Sequence, residues 1–222
     1  VGLTAADAVS FTDTVLVPGQ NYFYQVFAAP QSGSSLPATG SQATSAAGSD
    51  SCNGAGGNWS DTATWADASV PTATDNVTIG SGCTVTVDTA AAVALNVTIN
   101  SGGTLQSPTT GVVTSNNLTV GGSVTNNGTL DFSTNADTSG AILTFSAPVP
   151  SVTFGGTGAT TDIRAITVNK GAGGAVELNP TNFTVLGVNT DSAGFLTLTS
   201  GAFKIGGTFT ATNRVFTTAA YT

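Results

Sequence analysis

The sequence predicts an all-β protein whose larger part is a parallel β-helix, a β-solenoid. Three observations carry that prediction. A motif recurs: Asn76-Val77-Thr78-Ile79-Gly80-Ser81-Gly82 returns as Asn96-Val97-Thr98-Ile99-Asn100-Ser101-Gly102 and again as Asn117-Leu118-Thr119-Val120-Gly121-Gly122-Ser123, at spacings of 20 and 21 residues. A repeat of that size built from short strands points to stacked coils, each burying its apolar face against the next. Each copy alternates apolar and polar residues and breaks at Gly, Ser or Asn, the mark of a half-buried strand ended by a turn. Helical periodicity is absent, and the one Ala-rich piece, Thr89 to Ala94, is too short for a stable helix.

In chain order, residues 1–47 read differently from the rest. Ser10 to Leu16 is a strand, Val17-Pro18-Gly19-Gln20 a turn, and Tyr22 to Ala28 an alternating strand with Tyr22, Tyr24 and Val26 on one face. The spacing Leu16-x-Pro18-x-x-x-Tyr22 has the form of a tyrosine corner, in which the Tyr hydroxyl bonds back to the backbone just upstream. With the Tyr22-x-Tyr24-x-Val26-x-Ala28 strand, it resembles the last three strands of a fibronectin type III domain. The resemblance implies a partial β-sandwich, with its first strands supplied by a longer parent protein or by another segment.

Residues 48–75 read as a Gly/Ser linker followed by a cap. Trp59-Ser60, Thr64-Trp65, Val70-Pro71 and Asp75-x-Val77-x-Ile79 resemble the entry to right-handed β-helical stalks in large secreted bacterial surface (adhesin-like) proteins. Trp59, Trp65, Pro71 and Asp75 are expected to cover the open end of the solenoid, since a terminal coil exposes its core. Trp59 and Trp65 as a sugar-binding platform is the alternative. Residues 76–222 are expected to form the β-helix proper. Its second strands run over Thr84–Val87, Thr104–Leu105 and Thr129–Phe132, with Asp88 and Asp131 stacking at their ends. Later strands are expected at Ala141–Phe145, Val152–Phe154, Ile163–Val168, Ala175–Leu178, Phe183–Val188, Phe195–Leu198 and Phe203–Thr210. The chain stops in strand-like sequence, so the parent protein is expected to continue.

Composition narrows function. Charged residues make up 7%, and 12 acids against 4 bases leave a net charge of −8. So few bases neutralise few phosphates, which argues against nucleic acid and against docking on an anionic membrane. No apolar run is long enough for a transmembrane helix, and Val1 onward has no signal-peptide pattern, so any targeting signal was removed or lies outside this sequence. Cys52 and Cys83 read as a disulfide of an exported protein or as two buried thiols. As a disulfide, the bond closes a 31-residue loop and stabilises by roughly 3–4 kcal/mol in the chain-entropy model.

Catalytic chemistry has little to work with. The sequence has no His, which removes Ser-His-Asp and Cys-His arrangements and His-based zinc sites. The Gly pairs punctuate strands and do not form a phosphate loop before a helix. No cofactor is expected, apart from structural calcium on Asp61, Asp67 and Asp75. Sequons stand at Asn58, Asn76, Asn96, Asn117, Asn127 and Asn182, of which those in the repeat read equally as an inward Asn ladder, a turn or a glycan site. The resemblance implies a non-catalytic structural or adhesive segment, extracellular and on the bacterial cell surface, acting as a stiff stalk or fibre subunit. Its partners would be other domains or copies of the same surface protein, and glycans. Two alternatives stand beside it. One is ice binding by a Thr array (Thr84-x-Thr86, Thr197-x-Thr199, Thr208-x-Thr210), which needs those residues on one flat face. The other is carbohydrate binding or processing.

Overall fold

The computed structural model describes residues 21–26, 38–43, 47–191, 194–206 and 210–212. The chain divides into two units, Val1–Ala46 and Ala47–Thr222. In the first, β1 (Asn21–Val26) pairs antiparallel with β2 (Ala38–Ala43). Leu16 and Pro18, the other two residues of the expected tyrosine corner, lie outside the described residues. Tyr22 sits half-buried on β1, and Phe23 beside it is exposed.

The second unit is a stack of coils. Each coil contributes strands in turn to sheet I, sheet II and, in the middle five, sheet III. Coil 1 holds β3 (Gly48–Ser51) and β4 (Gly56–Asn58). Coil 2 holds β5 (Asp75–Ile79), β6 (Thr84–Thr86) and β7 (Ala92–Ala94). Coil 3 holds β8 (Asn96–Ile99), β9 (Thr104–Gln106) and β10 (Asn117–Val120). Coil 4 holds β11 (Val124–Asn126), β12 (Thr129–Asp131), a small antiparallel hairpin of β13 (Ser133–Thr134) and β14 (Ser139–Gly140), and β15 (Ile142–Ser146). Coil 5 holds β16 (Ser151–Gly156), β17 (Thr160–Ile163) and β18 (Ala165–Asn169). Coil 6 holds β19 (Ala175–Pro180), β20 (Thr184–Leu186) and β21 (Leu196–Ser200), and coil 7 β22 (Ala202–Ile205) and β23 (Thr210–Thr212). Among the described residues, sheets I and II have seven strands each and sheet III five, and every ladder in them is parallel. The architecture is the all-β, stacked and in-register one that the alternation predicts.

Register decides what is buried. In sheet I the inward positions Val77, Val97, Val124, Phe154 and Leu178 stack directly over one another. In sheet III, Ala92, Leu118, Leu143, Ile166 and Leu196 do the same, and beside them Ala94, Val120, Phe145, Val168 and Leu198. Val85, Leu105 and Leu130 supply the matching column from sheet II. These side chains form one continuous core. Their neighbours along each strand face outward, because a strand turns alternate residues to opposite faces, and most of them are polar.

Two expectations change here. The stretch around residues 48–58, read as a flexible linker, is the first coil: β3 pairs with β5 and β4 with β6. The third copy of the Asn-x-Thr-x motif does not continue the column of the first two. Val77 and Val97 stack in sheet I, whereas Leu118 stacks on Ala92 in sheet III. The later echoes Ile166-Thr167-Val168 and Leu196-Thr197-Leu198 stack above Leu118-Thr119-Val120. The same short motif serves two walls because both need an inward aliphatic flanked by outward polar groups. Turns stack as well: Gly82 and Gly102 both adopt left-handed backbone (φ 79° and 80°), and the Gly82 N–H donates to Gly102 O at 2.9 Å.

This arrangement separates neighbours sharply. Ile99 is fully buried and Thr98 faces out. Ile99→Ala should lower unfolding free energy in urea by about 2–5 kcal/mol, whereas Thr98→Ala should stay within about 0.5 kcal/mol.

Candidate functional site

The first coil carries most of the residues that the sequence singles out. Cys52 and Cys83 are joined by a disulfide that ties the end of β3 to the start of β6, with Cα atoms 6.4 Å apart. Between them the chain leaves β4, makes a single 3-10 turn at Thr62–Thr64 and folds back. Asp61 caps that turn, its Oδ1 accepting from Ala63 N at 2.9 Å. The return is pinned by Asn53 N to Thr64 O (2.7 Å) and Ala66 N to Ser51 O (2.9 Å). Trp59 and Trp65 are both fully buried, edge to face, with centroids 5.0 Å apart at 71°. Buried rings present no face to a sugar, so the platform alternative fails. Trp65 Nε1 donates to Trp59 O at 3.0 Å, while Trp59 Nε1, equally buried, has no hydrogen-bond partner among the described residues. Pro71 is buried nearby. Asp75 starts β5 and accepts from Thr72 N (2.7 Å) and Thr72 Oγ1 (2.6 Å).

Asp61, Asp67 and Asp75 do not come together as ligands. Asp61 and Asp75 are occupied by their own turns, and Asp67 accepts from Ser69 N at 3.0 Å. Among the described residues, no group of three or more His, Cys, Asp or Glu could hold a metal ion. The structure brings in an acid that the pattern reading passed over. Asp50 pairs in register with Val77, at the foot of the aliphatic column, and is buried. Burial, then a hydrogen bond that the protonated carboxyl donates to Asp67 and the charges of Asp67 and Asp75, push it up to about 6 from 3.8. Its place at an inward position of an alternating strand was the available signal.

The outer walls are columns of polar side chains, most of them uncharged. On sheet I, Asn76, Asn96, Ser123 and Thr153 form one column, which Glu177 and Lys204 continue. Asn96 Nδ2 donates to Asn76 Oδ1 (2.7 Å), and Ser123 N donates to Asn96 Oδ1 (2.7 Å). The repeat asparagines of that sheet thus form an outward amide ladder. Thr78, Thr98 and Thr125 make the next column. Sheet II presents Thr84, Thr104, Thr129 and Thr160, and sheet III Thr119, Thr144, Thr167 and Thr197. Thr84-x-Thr86 and Thr197-x-Thr199 therefore belong to different walls. Thr208 lies outside the described residues. Threonines form single files on three faces, not one flat array.

Acids gather beside the corner between sheets II and III. Asp131 stacks on Asp162 of the next coil. Below it in the column is Gln106, so the expected partner Asp88 is not stacked there; Asp88 instead accepts from Ser60 N (3.0 Å) and Ser60 Oγ (2.6 Å). Burial, foremost, and the charge of Asp137 raise both Asp131 and Asp162 above the ordinary carboxylate value. Asp162 further raises Asp131, against the lowering effects of Ser133 N on Asp131 and Thr184 on Asp162. Asp137 sits on the β13–β14 hairpin, where Asn135, Ala136 and Asp137 run left-handed in succession (φ 54°, 52° and 59°). That costly turn is held by Asn135 Nδ2 to Gly111 O (2.7 Å) and Asn189 Nδ2 to Ala136 O (3.0 Å). Arg164, at the tight corner of coil 5, clasps Asp191 through two 3.0 Å bonds and donates to Thr114 O at 2.7 Å. One guanidinium thus ties the loops of coils 3 and 6. Sequence could not show this, because the partners lie 50 and 27 residues away.

At the corner between sheets III and I, Lys170 is buried with its ammonium donating to the carbonyls of Gly121 (2.7 Å) and Ser146. Burial lowers it to about 8 from 10.5.

A family model described as G8 domain matches residues 64–185, more than half of the chain. No curated protein and no solved structure matches the chain.

Two tests follow from the first coil. Asp50 is raised in the folded state, so the folded protein keeps a proton that the unfolded chain has lost. Its stabilising contribution is complete below pH 3.8 and is lost as pH rises through about 6. Asp50→Asn should flatten the fall in melting temperature across that window. Trp65→Phe should cost about 1 kcal/mol more than Trp59→Phe in chemical denaturation, because only Trp65 loses a hydrogen bond.

Proposed function

Because this chain belongs to the G8 domain family, whose description specifies no chemistry, we propose its function from its surface and its stacking. It is a non-catalytic structural and adhesive segment of an extracellular bacterial surface protein or fibre, and it works as a stiff stalk. The observation that carries this reading is the pairing of an uninterrupted apolar core with outer walls built mostly of stacked Thr, Ser and Asn. Seven strands in sheets I and II rise about 29 Å along the axis at the usual strand spacing. Bending such a stack means breaking ladder hydrogen bonds on a wall. The Cys52–Cys83 disulfide fits an extracellular or otherwise oxidising compartment. Partners are neighbouring domains, further copies of the parent protein, and glycans met by the amide and hydroxyl columns.

The first unit is read as part of a fibronectin III-like sandwich. Support comes from the Tyr22-x-Tyr24 alternation and the antiparallel pairing of β1 with β2. An adhesin-type parent accommodates both units.

A second reading, carbohydrate processing, draws on the in-register Asp131–Asp162 pair with raised carboxyls. Paired carboxylates are the equipment of glycoside hydrolysis, but the cation beside this pair, Arg164, is already engaged by Asp191 and Thr114 O. The stalk reading expects no reducing ends from a polysaccharide panel, no thermal hysteresis, and high resistance when the chain is pulled from both ends by force spectroscopy. Reducing ends that disappear in Asp131→Asn and Asp162→Asn would replace it with the enzymatic reading.

A further inference from the structure

The sequence contains two Asn-Gly dipeptides, Asn53-Gly54 and Asn127-Gly128. Both have the chemistry for intramolecular attack of the glycine amide nitrogen on the asparagine side chain, since Gly brings no side chain to hinder ring closure. The fold treats them differently. Asn127 and Gly128 sit in the corner between sheets I and II. Asn127 Oδ1 accepts from Thr157 N (3.1 Å) and Thr157 Oγ1 (3.2 Å), and its own N–H donates to Ile99 O at 2.7 Å. The Gly128 N–H, the nucleophile, is held by Asn126 Oδ1 at 3.1 Å. A Cβ on Gly128 would run into Asn100 O and Gly103 O, so this backbone is packed against the coil below.

Asn53 and Gly54 are exposed and lie in the turn between β3 and β4. Gly54 has left-handed φ (54°) with open space around it. Among the described residues its N–H has no hydrogen-bond partner and the Asn53 side chain has only a long 3.4 Å contact to Ala63 O, so the sites differ in the side chain and the nucleophile and not in the asparagine N–H, which Thr64 O holds at 2.7 Å in Asn53.

We propose that Asn53 is a self-modification site of this protein, converting to aspartate and isoaspartate, while Asn127 is protected by the fold. Gly54 N attacks Asn53 Cγ and forms the N–C bond of a succinimide. The Cγ–Nδ2 bond breaks, and Nδ2 leaves as ammonia with the proton lost from Gly54 N. Water then opens the ring at either carbonyl, giving aspartate or isoaspartate. The new carboxylate joins Asp50, Asp61, Asp67 and Asp75 in a chain with no Lys or Arg before Arg164. Isoaspartate also adds a methylene to the backbone between the two strands of coil 1, next to the disulfide.

The test uses the whole chain with its disulfide intact, incubated at mildly alkaline pH and digested, with both Asn-Gly peptides followed by mass spectrometry. In the folded protein, the Asn53 peptide should convert roughly ten-fold or more faster than the Asn127 peptide, the factor expected for freeing two ordinary hydrogen bonds before ring closure. In urea the two rates should converge, because only the shared dipeptide chemistry remains. Asn53→Gln should remove the fast component and leave the slow one. Equal rates in the folded protein, or a gap that persists in urea, would overturn the proposal.

Discussion

Parallel stacking in register is the constraint on which the rest of this structure depends. An inward side chain stays inward only if its counterparts one coil above and below are inward too, since a slip of one residue turns every side chain on a strand to the opposite face. The coils meet that condition without equal length. Val77, Val97, Val124, Phe154, Leu178 and Ile205 stack in one column although the steps between them are 20, 27, 30, 24 and 27 residues. The surplus goes into corners: the β13–β14 hairpin, the loop before β10 and the loop before β21. Walls are therefore uniform while corners vary, and each departure from plain packing sits at a corner or at the first coil.

Corners also take the polar burden that a closed stack creates. Asn126 is fully buried, yet its amide donates to Thr160 O (2.6 Å) and Thr161 Oγ1 (2.8 Å) and accepts from Gly128 N (3.1 Å). Asn116 donates to Val87 O at 2.8 Å. Lys170 does the same for two carbonyls, with burial lowering its affinity for the proton. Unpaired, each of those backbone groups would cost about 1–3 kcal/mol. Arg164 and Asp191 form the one ion pair among the described residues. Its worth lies in geometry, because a single planar fork joins three coils.

Charge is distributed unevenly along the stack. All four Lys and Arg residues lie at or beyond residue 164, while ten of the twelve acids precede it. The early coils therefore have no cation to offset Asp50, Asp67 and Asp75, and burial raises Asp50 where a basic neighbour would have lowered it. The acid stands at the end of the column where the aliphatic core stops, with its carboxyl beside that of Asp67. Most of the remaining wall, outside Asp131 and Asp162 on sheet II and Glu177 and Lys204 on sheet I, is uncharged Thr, Ser and Asn. Their side chains bond to one another along the axis, as Thr144 Oγ1 does to Asn117 Oδ1 at 2.6 Å.

Sequence alone determined the wall. Period-two alternation and glycine punctuation are local properties, and they identified strands, their inward residues and a parallel stack, because a strand's two faces follow from backbone geometry without reference to distant residues. Trp59 and Trp65, expected as a lid, are buried in the first coil as part of the continuous core. Tertiary structure decided which strand lies over which. It sent the third Asn-x-Thr-x copy to sheet III, drew residues 48–58 into the first coil, set Asp131 over Gln106 and not Asp88, and divided the threonines among three walls. Those outcomes depend on how much chain each corner absorbs. Corner length is settled by contacts such as Arg164 to Asp191 and Asn135 to Gly111, made between residues that no local pattern connects.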